Sequence, residues 1–164
     1  MPESRPILTT ERLILRNLCA KDLDELFDYR NDPRSNQYQR GQFRDRDALE
    51  KLIARRANDM LDGIHSGQFA VALREDDSLI GEISMAVNAD VITLGYTLSY
   101  KHHRKGYATE ILSALLARLR ELNPRCTFIA QIESENRASL ALIHKLGFRE
   151  IARDKQENCI TFQK

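Results

Sequence analysis

The stretch "KHHRKGYATE", residues 101–110, decides the fold, because it opens a helix with charges of the unexpected sign. The N-terminus of a helix carries roughly half a positive charge, so acidic or capping side chains are expected there. Two lysines, two histidines and an arginine stand there instead, and the first acid is Glu110. Each such cation costs on the order of 0.3–1 kcal/mol unless an anion is present. The helix itself is indicated by apolar residues at the i, i+3, i+4, i+7 spacing, which are Ala108, Ile111, Leu112, Leu115, Leu119 and Leu122.

The small residues of this stretch suit a bound phosphate. Gly106 and Ala108 let a ligand approach the backbone, and the first N–H groups of a helix have no partner within it. With the helix dipole and the flanking cations, these groups would form an anion-binding cradle. The competing interpretation is that Gly106 only starts a helix and that the basic residues form a solvated face. The phosphate-binding motif GxxxxGK[ST] and the three-glycine dinucleotide fingerprint are both absent.

Length and composition restrict the class of protein. The 164 residues suit one compact domain, residues 1–164, with 42% hydrophobic and 30% charged residues. The 25 Lys+Arg against 24 Asp+Glu create no global field that would attract nucleic acid or a membrane, so we expect neither as a partner. Three cysteines without CxxC or zinc-ligand spacing predict free thiols and no metal. No apolar leader or spanning segment follows Met1, which predicts a cytoplasmic protein.

The order of the predicted elements indicates a mixed α/β domain. Short, turn-like gaps between three consecutive strands predict antiparallel pairing, and a strand-helix-strand unit around residue 104 predicts one parallel crossover. Repeated strand-helix alternation is missing, so a doubly wound nucleotide fold is excluded. Strands are predicted at residues 12–18, 69–73, 79–87, 91–100, 126–132 and 158–163, helices at 22–32, 45–61, 104–122 and 136–148, and a loop at 35–44.

A second motif, "NRASLALIHKLGF" at residues 136–148, predicts a helix with defined ends. Asn136 is a good N-cap whose side chain would accept from the N–H of Ser139. Ser139 lies on the apolar face of this helix, so its hydroxyl needs a partner, and a backbone carbonyl is the simplest one. Gly147 followed by Phe148 is typical of a helix stop with an apolar contact.

Five motifs, in this order and spacing, resemble the GNAT superfamily of acyl-CoA-dependent N-acyltransferases, and within it the RimJ/RimL branch. The match spans about residues 9–152, and its motifs are "TTERLILR" (9–16), "IG" (80–81), "GYTLS" (95–99), "RKGYATE" (104–110) and "NRASLALIHKLGF" (136–148). The resemblance implies a central mixed, mostly antiparallel sheet of six to seven strands flanked by about four helices. It also implies a splayed parallel strand pair that holds coenzyme A.

By this resemblance the missing anion is the pyrophosphate of coenzyme A, held by main-chain N–H groups of residues 104–109. The strand at residues 96–98 would pair with the pantetheine arm, and Asn136 would contact the arm or the thioester region. His103 stands where the family usually has Gln or Arg. The implied cofactor-binding residues are Tyr96, Leu98, His103, Arg104, Lys105, Gly106, Tyr107, Ala108, Thr109, Asn136 and Ser139.

The chemistry of direct acyl transfer requires a base, an oxyanion donor and a proton source for the leaving thiolate. The resemblance implies the Leu98 N–H as oxyanion donor and Ser139 as the acid. Glu82 is the candidate base, and Glu133 and Glu135 are alternatives. The implied catalytic residues are therefore Ser139, Glu82 and Asn136, while His102 and His103 are expected to bind the cofactor. Candidates for the acceptor pocket are Tyr29, Tyr38, Phe43 and Phe69, although core packing explains Phe69 equally well.

The expected activity is transfer of an acetyl group from acetyl-CoA to a primary amine, on a protein N-terminus or a small molecule, by a monomer or homodimer. One alternative is a module of the same fold that binds or senses acyl-CoA without turnover. A further alternative is an unrelated mixed α/β protein whose helix start only resembles a phosphate site.

Overall fold

The predicted strands assemble into a single mixed sheet. In the computed structural model, which describes residues 4–164, eight strands lie in the order β1-β2-β3-β4-β5-β6-β8-β7. All neighbours pair antiparallel except β5 and β6, which are parallel. The strands are β1 (Leu8–Thr9), β2 (Leu13–Asn17), β3 (Gly67–Leu73), β4 (Leu79–Asn88), β5 (Val91–Leu98), β6 (Thr127–Glu133), β7 (Arg149–Asp154) and β8 (Cys159–Gln163). The predicted mostly antiparallel sheet is confirmed. The sheet has eight strands where six to seven were expected, and β1 and β7 lie outside the six predicted ranges. The two-residue β1 is too short to show an alternation, and β7 is exposed throughout and therefore has no buried face to produce one.

Five α-helices are described, α1 (Leu23–Asn31), α2 (Pro33–Asn36), α3 (Arg46–Arg56), α4 (Tyr107–Leu122) and α5 (Arg137–Lys145), together with 3-10 turns at Ala20–Asp22 and Tyr100–His102. Asp45, one of two candidate caps, starts α3 by accepting from the N–H of Ala48 at 2.9 Å. Three predicted boundaries were wrong. The predicted loop at residues 35–44 begins two residues later, because residues 33–36 form α2, whose first turn accommodates Pro33 without loss of a hydrogen bond. Helix α3 ends at Arg56 rather than near residue 61, and α4 begins at Tyr107 rather than at residue 104.

The sheet separates two hydrophobic cores. On β3, Phe69 and Val71 face the larger core, which contains the apolar stripe of α4, whereas Ala70 faces a smaller core under α1 and α3. This alternation is what the period of two residues in a strand requires. Tyr29 and Phe69 are fully buried in these cores. The expectation that Tyr29 lines the acceptor pocket was therefore wrong, and of the two interpretations of Phe69 the structure supports core packing.

One buried ion cluster connects the sheet to the start of α1. The guanidinium of Arg16, which is completely buried on β2, donates to both carboxylate oxygens of Asp22 at 2.8 and 2.9 Å. It also donates to Asp77 in the turn before β4 at 2.6 Å. Burial opposes the charge on Arg16, but the two carboxylates outweigh it and raise its pKa. Removal of either acid would therefore leave a buried cation without its full set of partners.

The parallel pair opens a gap in the sheet. Pairing between β5 and β6 runs only from Val91 opposite Thr127 to Leu94 opposite Ala130. Beyond this point β5 remains paired with β4, and β6 remains paired with β8. The two strands therefore diverge as predicted, and the gap lies at the N-terminal ends of α4 and α5. None of the helices described for residues 4–164 has the length and apolar content needed to cross a membrane.

Candidate functional site

The gap between β5 and β6 opens into a cleft of about 460 Å³. Its walls are the end of β5, residues 102–109 at the mouth of α4, and the first turn of α5, and residues 34–39 close one side. All eleven residues that the sequence analysis assigned to the cofactor line this cleft. The structure therefore brings together residues that are up to 43 positions apart in the chain, from Tyr96 to Ser139.

The mouth of α4 presents unpaired main-chain donors. Gly106 is the N-cap, in the left-handed conformation with a φ of 78°, and no side chain caps the helix. The first helical hydrogen bond runs from the N–H of Glu110 to the carbonyl of Gly106 at 3.1 Å, which leaves the N–H groups of residues 107–109 outside the helical pattern. Arg104 also has a positive φ, of 61°. Left-handed residues in such a turn direct successive main-chain N–H groups to one side, where they form an anion-binding concavity. These left-handed residues also explain why the helix begins three residues later than predicted.

The single acid of this helix start is neutralised by the β1–β2 hairpin. Glu110 accepts from the Thr10 hydroxyl at 2.6 Å, and from the main-chain N–H and the side-chain Nε of Arg12 at 2.8 and 2.7 Å. Partial burial opposes the charge of Glu110, but these three donors lower its pKa. The helix mouth therefore keeps its positive potential although an acid lies one turn inside it.

Arg12 also holds the loop that precedes α4. Its Nη1 donates to the carbonyl of Lys105 at 2.9 Å, and its guanidinium lies 4.5 Å from the centre of the Tyr107 ring. Sequence reasoning missed this arrangement. The only signal was that Arg12 and Glu110 both belong to the quoted motifs, without a role for either.

The edge of β5 that faces the gap offers main-chain groups for pairing. The N–H of Ser99 donates to the carbonyl of Ile80 on β4 at 2.8 Å, so alternation directs the main-chain groups of Tyr96 and Leu98 away from β4 and into the gap. The carbonyl of Tyr96 accepts from Gln39 Nε2 at 3.1 Å. The carbonyl of Leu98 lies 3.0 Å from His103 Nε2, which must carry the proton because a carbonyl can only accept. His103 therefore contacts the strand, a partner that its position in the motif did not indicate.

Two hydroxyl groups lie together where α5 meets β5. Asn136 caps α5 as predicted, and its Oδ1 accepts from the N–H of Ser139 at 3.2 Å. Within residues 4–164 no backbone carbonyl accepts from the Ser139 hydroxyl, so the expected backbone partner was wrong, because Ser139 lies in the first turn of the helix. The hydroxyl of Tyr96 is buried and makes no hydrogen bond within the same residues. Burial raises the pKa of Tyr96, and the nearby Ser139 hydroxyl opposes this rise.

A second cavity, of about 360 Å³, lies next to the cleft and shares Gln39, Tyr96 and Thr97 with it. Glu82 on β4 lines this cavity although it is only 3% exposed. Its Oε1 accepts from Arg30 at 2.6 and 3.0 Å and from Gln42 at 3.3 Å. Its Oε2 is buried near the side chains of Tyr29 and Gln68, without a hydrogen bond of normal geometry within residues 4–164. Burial raises the pKa of Glu82, and Arg30 opposes this rise.

The two other candidate bases do not line either cavity. Glu133 is engaged by Arg40 at 2.7 Å, and Glu135 is exposed. Of the candidate aromatic residues, Tyr38 lines the cleft and Phe43 lines the second cavity. Within the described part of the chain, no three His, Cys, Asp or Glu side chains are grouped so that they could hold a metal ion.

Comparisons with known proteins agree with this geometry. A family model described as an acetyltransferase (GNAT) domain matches residues 12–149. YnaD of Bacillus subtilis, an uncharacterised N-acetyltransferase, is 29% identical over 146 residues, which are 87% of this chain and 82% of that protein.

Solved structures share the fold. An acetyltransferase of the GNAT family from Bacillus anthracis superposes with a TM-score of 0.83 at 20% identity, covering 96% of each chain. RimL, a ribosomal alpha-N-protein acetyltransferase in complex with coenzyme A, superposes with a TM-score of 0.80 at 14% identity, covering 98% of this chain and 97% of RimL. Because the family match spans most of the chain, from β2 to the start of β7, the protein belongs to the GNAT family of acetyltransferases.

Proposed function

We propose that the protein transfers the acetyl group of acetyl-CoA to a primary amine by direct attack. Membership of the GNAT acetyltransferases supports the coarser activity. The observation that carries the proposal is the combination, in one cleft, of an uncapped helix mouth with free N–H groups and a strand edge that no neighbouring strand pairs with. The helix mouth fits a diphosphate, and the strand edge fits an extended arm that contains two amide groups.

The residues present fit coenzyme A. The N–H groups of residues 107–109 and the exposed cations Arg104 and Lys105 would hold the diphosphate. The main-chain groups of Tyr96 and Leu98 would pair with the pantetheine amides in place of Gln39 and His103, which occupy those carbonyls now. The fold shared with RimL, whose structure contains coenzyme A, supports this assignment.

Glu82 is proposed as the base that accepts the proton of the amine. Glu82 lines the second cavity and pairs across the sheet with Thr97, one of the residues that line both that cavity and the cleft. Because one of its oxygens is held by Arg30, the carboxylate is fixed in orientation. Its raised pKa makes it a stronger base than an ordinary glutamate.

The thioester supplies the acetyl group when acetyl-CoA is bound. The amine nitrogen forms the new bond to the carbonyl carbon, the carbon–sulfur bond breaks, and the amine loses one proton to Glu82. The Leu98 N–H would stabilise the charge that develops on the carbonyl oxygen. Ser139, assisted by the neighbouring Tyr96 hydroxyl, would give a proton to the thiolate, so that the products are an acetylated amine and the free thiol of coenzyme A. Glu82 would then release its proton to solvent and Ser139 would regain one from solvent, which restores both groups.

Thermal melts with acetyl-CoA, combined with a thiol-release assay against a panel of primary amines, test this proposal. A ligand at 100 times its dissociation constant stabilises a protein by about 2.7 kcal/mol, which is readily seen in a melt. We expect stabilisation and steady thiol release that depends on the amine. Stabilisation with no release from any amine would favour an acyl-CoA-binding module instead, and no stabilisation at all would contradict both.

A further inference from the structure

We infer that the acceptor is a small amine that also carries an anionic group, a carboxylate or a phosphate. This inference rests on the proposed function and specifies its second substrate. It would set this protein apart from acetyltransferases that act on polyamines or aminoglycosides, which carry only positive charge. The evidence is the charge and packing of the second cavity beside Glu82.

The second cavity is strongly basic. Four arginines line it, Arg30, Arg40, Arg55 and Arg56, and Glu82 is the one acid among the lining residues that the structure describes. The protein as a whole is close to neutral, with a formal net charge of +1, so this concentration of cations is local. A purely cationic acceptor would be repelled by such a cavity, whereas an anionic group would be attracted.

Two of the four arginines are already matched by carboxylates. Arg30 is buried and donates twice to Glu82, at 2.6 and 3.0 Å. Arg40 pairs with Glu133 at 2.7 Å and with Glu157 at 3.2 Å. The charge of these two side chains is therefore largely balanced inside the protein.

The other two arginines, in the last turn of α3, are not balanced in this way. Arg55 forms no ion pair within residues 4–164. Arg56 reaches only Asp59, at 3.4 Å, and its Nε is buried without a hydrogen bond within the same residues. A buried guanidinium donor without an acceptor is costly, and a carboxylate or phosphate supplies the acceptors that its planar geometry favours.

The cavity also offers a different polar group to each end of such a ligand. The carboxylate of Glu82 suits the amine, because this residue lies on β4 opposite Thr97, which lines both the cavity and the cleft. The cations on α3 suit the anionic end. The volume of about 360 Å³ is in the range of sites for small molecules.

The test uses matched acceptors that differ in one charge. Glycine is compared with glycinamide, and O-phosphoethanolamine with ethanolamine, by thiol release from acetyl-CoA with the full-length protein. We expect kcat/KM to be at least about tenfold higher for the anionic member of at least one pair, mainly through a lower KM. For the first pair the amine of glycinamide is less basic than that of glycine and is therefore less protonated at neutral pH. This difference by itself favours glycinamide, so a higher kcat/KM for glycine must come from its carboxylate. The pair with the larger ratio identifies carboxylate or phosphate as the anion.

A charge-deleted variant, Arg55→Gln/Arg56→Gln, ties the preference to the cavity. In this variant we expect the ratio of kcat/KM between the anionic and the neutral member of a pair to fall to about one. The control Arg118→Gln removes an exposed arginine of α4 that pairs with Glu121 and lines neither cavity, and it should keep the wild-type preference. Thermal melts check that all variants fold. Equal rates for both members of each pair, or a preference that survives in the double variant, would overturn the inference.

A binding measurement separates this inference from the proposed function. In the presence of coenzyme A, the anionic amines should raise the melting temperature more than their neutral partners, and the double variant should lose this difference. If no amine is acetylated but this difference is present, the proposed turnover is wrong and the anionic site stands. If neutral amines are acetylated as well as anionic ones, the transferase stands and the anionic site is wrong.

Discussion

Replacement of Arg12 by Gln should weaken both the stability of the protein and its affinity for coenzyme A. Arg12 precedes Glu110 by 98 residues in the sequence, yet it connects the β1–β2 hairpin to α4. The change would remove the 2.7 Å ion pair with Glu110, the 2.9 Å hydrogen bond to the Lys105 carbonyl and the contact with the Tyr107 ring. Glu110 would keep the Thr10 hydroxyl and the main-chain N–H of residue 12.

The size of the effect follows from the exposure of the groups. The Arg12 side chain is 43% exposed, so its ion pair with Glu110 contributes only about 0.2–1 kcal/mol. The cation–π contact adds about 0.5–1 kcal/mol, and the hydrogen bond to the carbonyl about 0.5–1.5 kcal/mol. We therefore expect a loss of about 1–3.5 kcal/mol in the free energy of unfolding. Of the three contacts, only the hydrogen bond to the Lys105 carbonyl acts on the main chain of the loop, so its loss should weaken coenzyme A binding about 2- to 12-fold.

The lowered pKa of Glu110 also determines how this loss of stability depends on pH. The folded protein lowers the pKa of Glu110, so the contribution of this group is present above its ordinary pKa of about 4.5 and is lost as the pH falls through the lower folded value. Urea denaturation should therefore show a difference between wild type and Arg12→Gln at pH 7 that shrinks below about pH 4.5.

Titration calorimetry with coenzyme A, together with urea denaturation, measures both effects. Arg118→Gln is the matched control, since it also removes an arginine from an exposed ion pair of α4, at 3.2 Å, but touches no part of the loop. We expect this control to bind coenzyme A like the wild type. Unchanged affinity in Arg12→Gln, or equal losses in both variants, would refute the idea that the hairpin orders the cofactor loop.

Three further changes test the rest of the site and the fold. Glu82→Gln should lower kcat by about 10²–10⁴-fold and leave coenzyme A affinity within about twofold, because a base acts on the amine and not on the cofactor; the wild-type kcat/KM should rise with pH through the raised pKa of Glu82. Ser139→Ala should slow turnover only about 2- to 10-fold, because a thiol with a pKa of about 8.5 leaves readily, and Ser139→Ala/Tyr96→Phe should slow it further in the same thiol-release assay. Asp22→Asn should destabilise the protein by about 3–5 kcal/mol in urea denaturation, because it leaves Arg16 buried with a weaker partner. Full activity in Glu82→Gln, an unchanged rate in the Ser139 and Tyr96 double variant, or a loss below about 1 kcal/mol in Asp22→Asn would contradict the respective role.

The parts of the fold that could be predicted are those with a strong local signal. The apolar stripe of α4, the β-branched run of β6 and the Asn136 cap depend on neighbouring residues, and all three are present in the structure. The divergence of β5 from β6 followed from the family resemblance, and the pairing that ends at Leu94 and Ala130 agrees with it. The start of α4 was placed too early, because the positive φ of Arg104 is set by the loop and leaves no mark in the composition.

The parts of the site that could not be predicted depend on contacts between distant segments. Arg12 and Glu110 are 98 residues apart, and Arg30 and Glu82 are 52 residues apart, so no spacing in the sequence reveals either pair. The Tyr96 hydroxyl was missed because that residue was considered only for its main chain. Tyr29 was misplaced because an aromatic residue in an amphipathic helix has the same pattern whether it lines a pocket or fills a core.

The most direct test of the account is a crystal structure of the protein with coenzyme A. Diphosphate oxygens should lie within about 2.7–3.2 Å of the N–H groups of residues 107–109, with the pantetheine arm along Tyr96 and Leu98 in the gap beside β6. A diphosphate bound elsewhere, with the α4 mouth in contact only with solvent, would contradict the assignment of this helix start as the anion site.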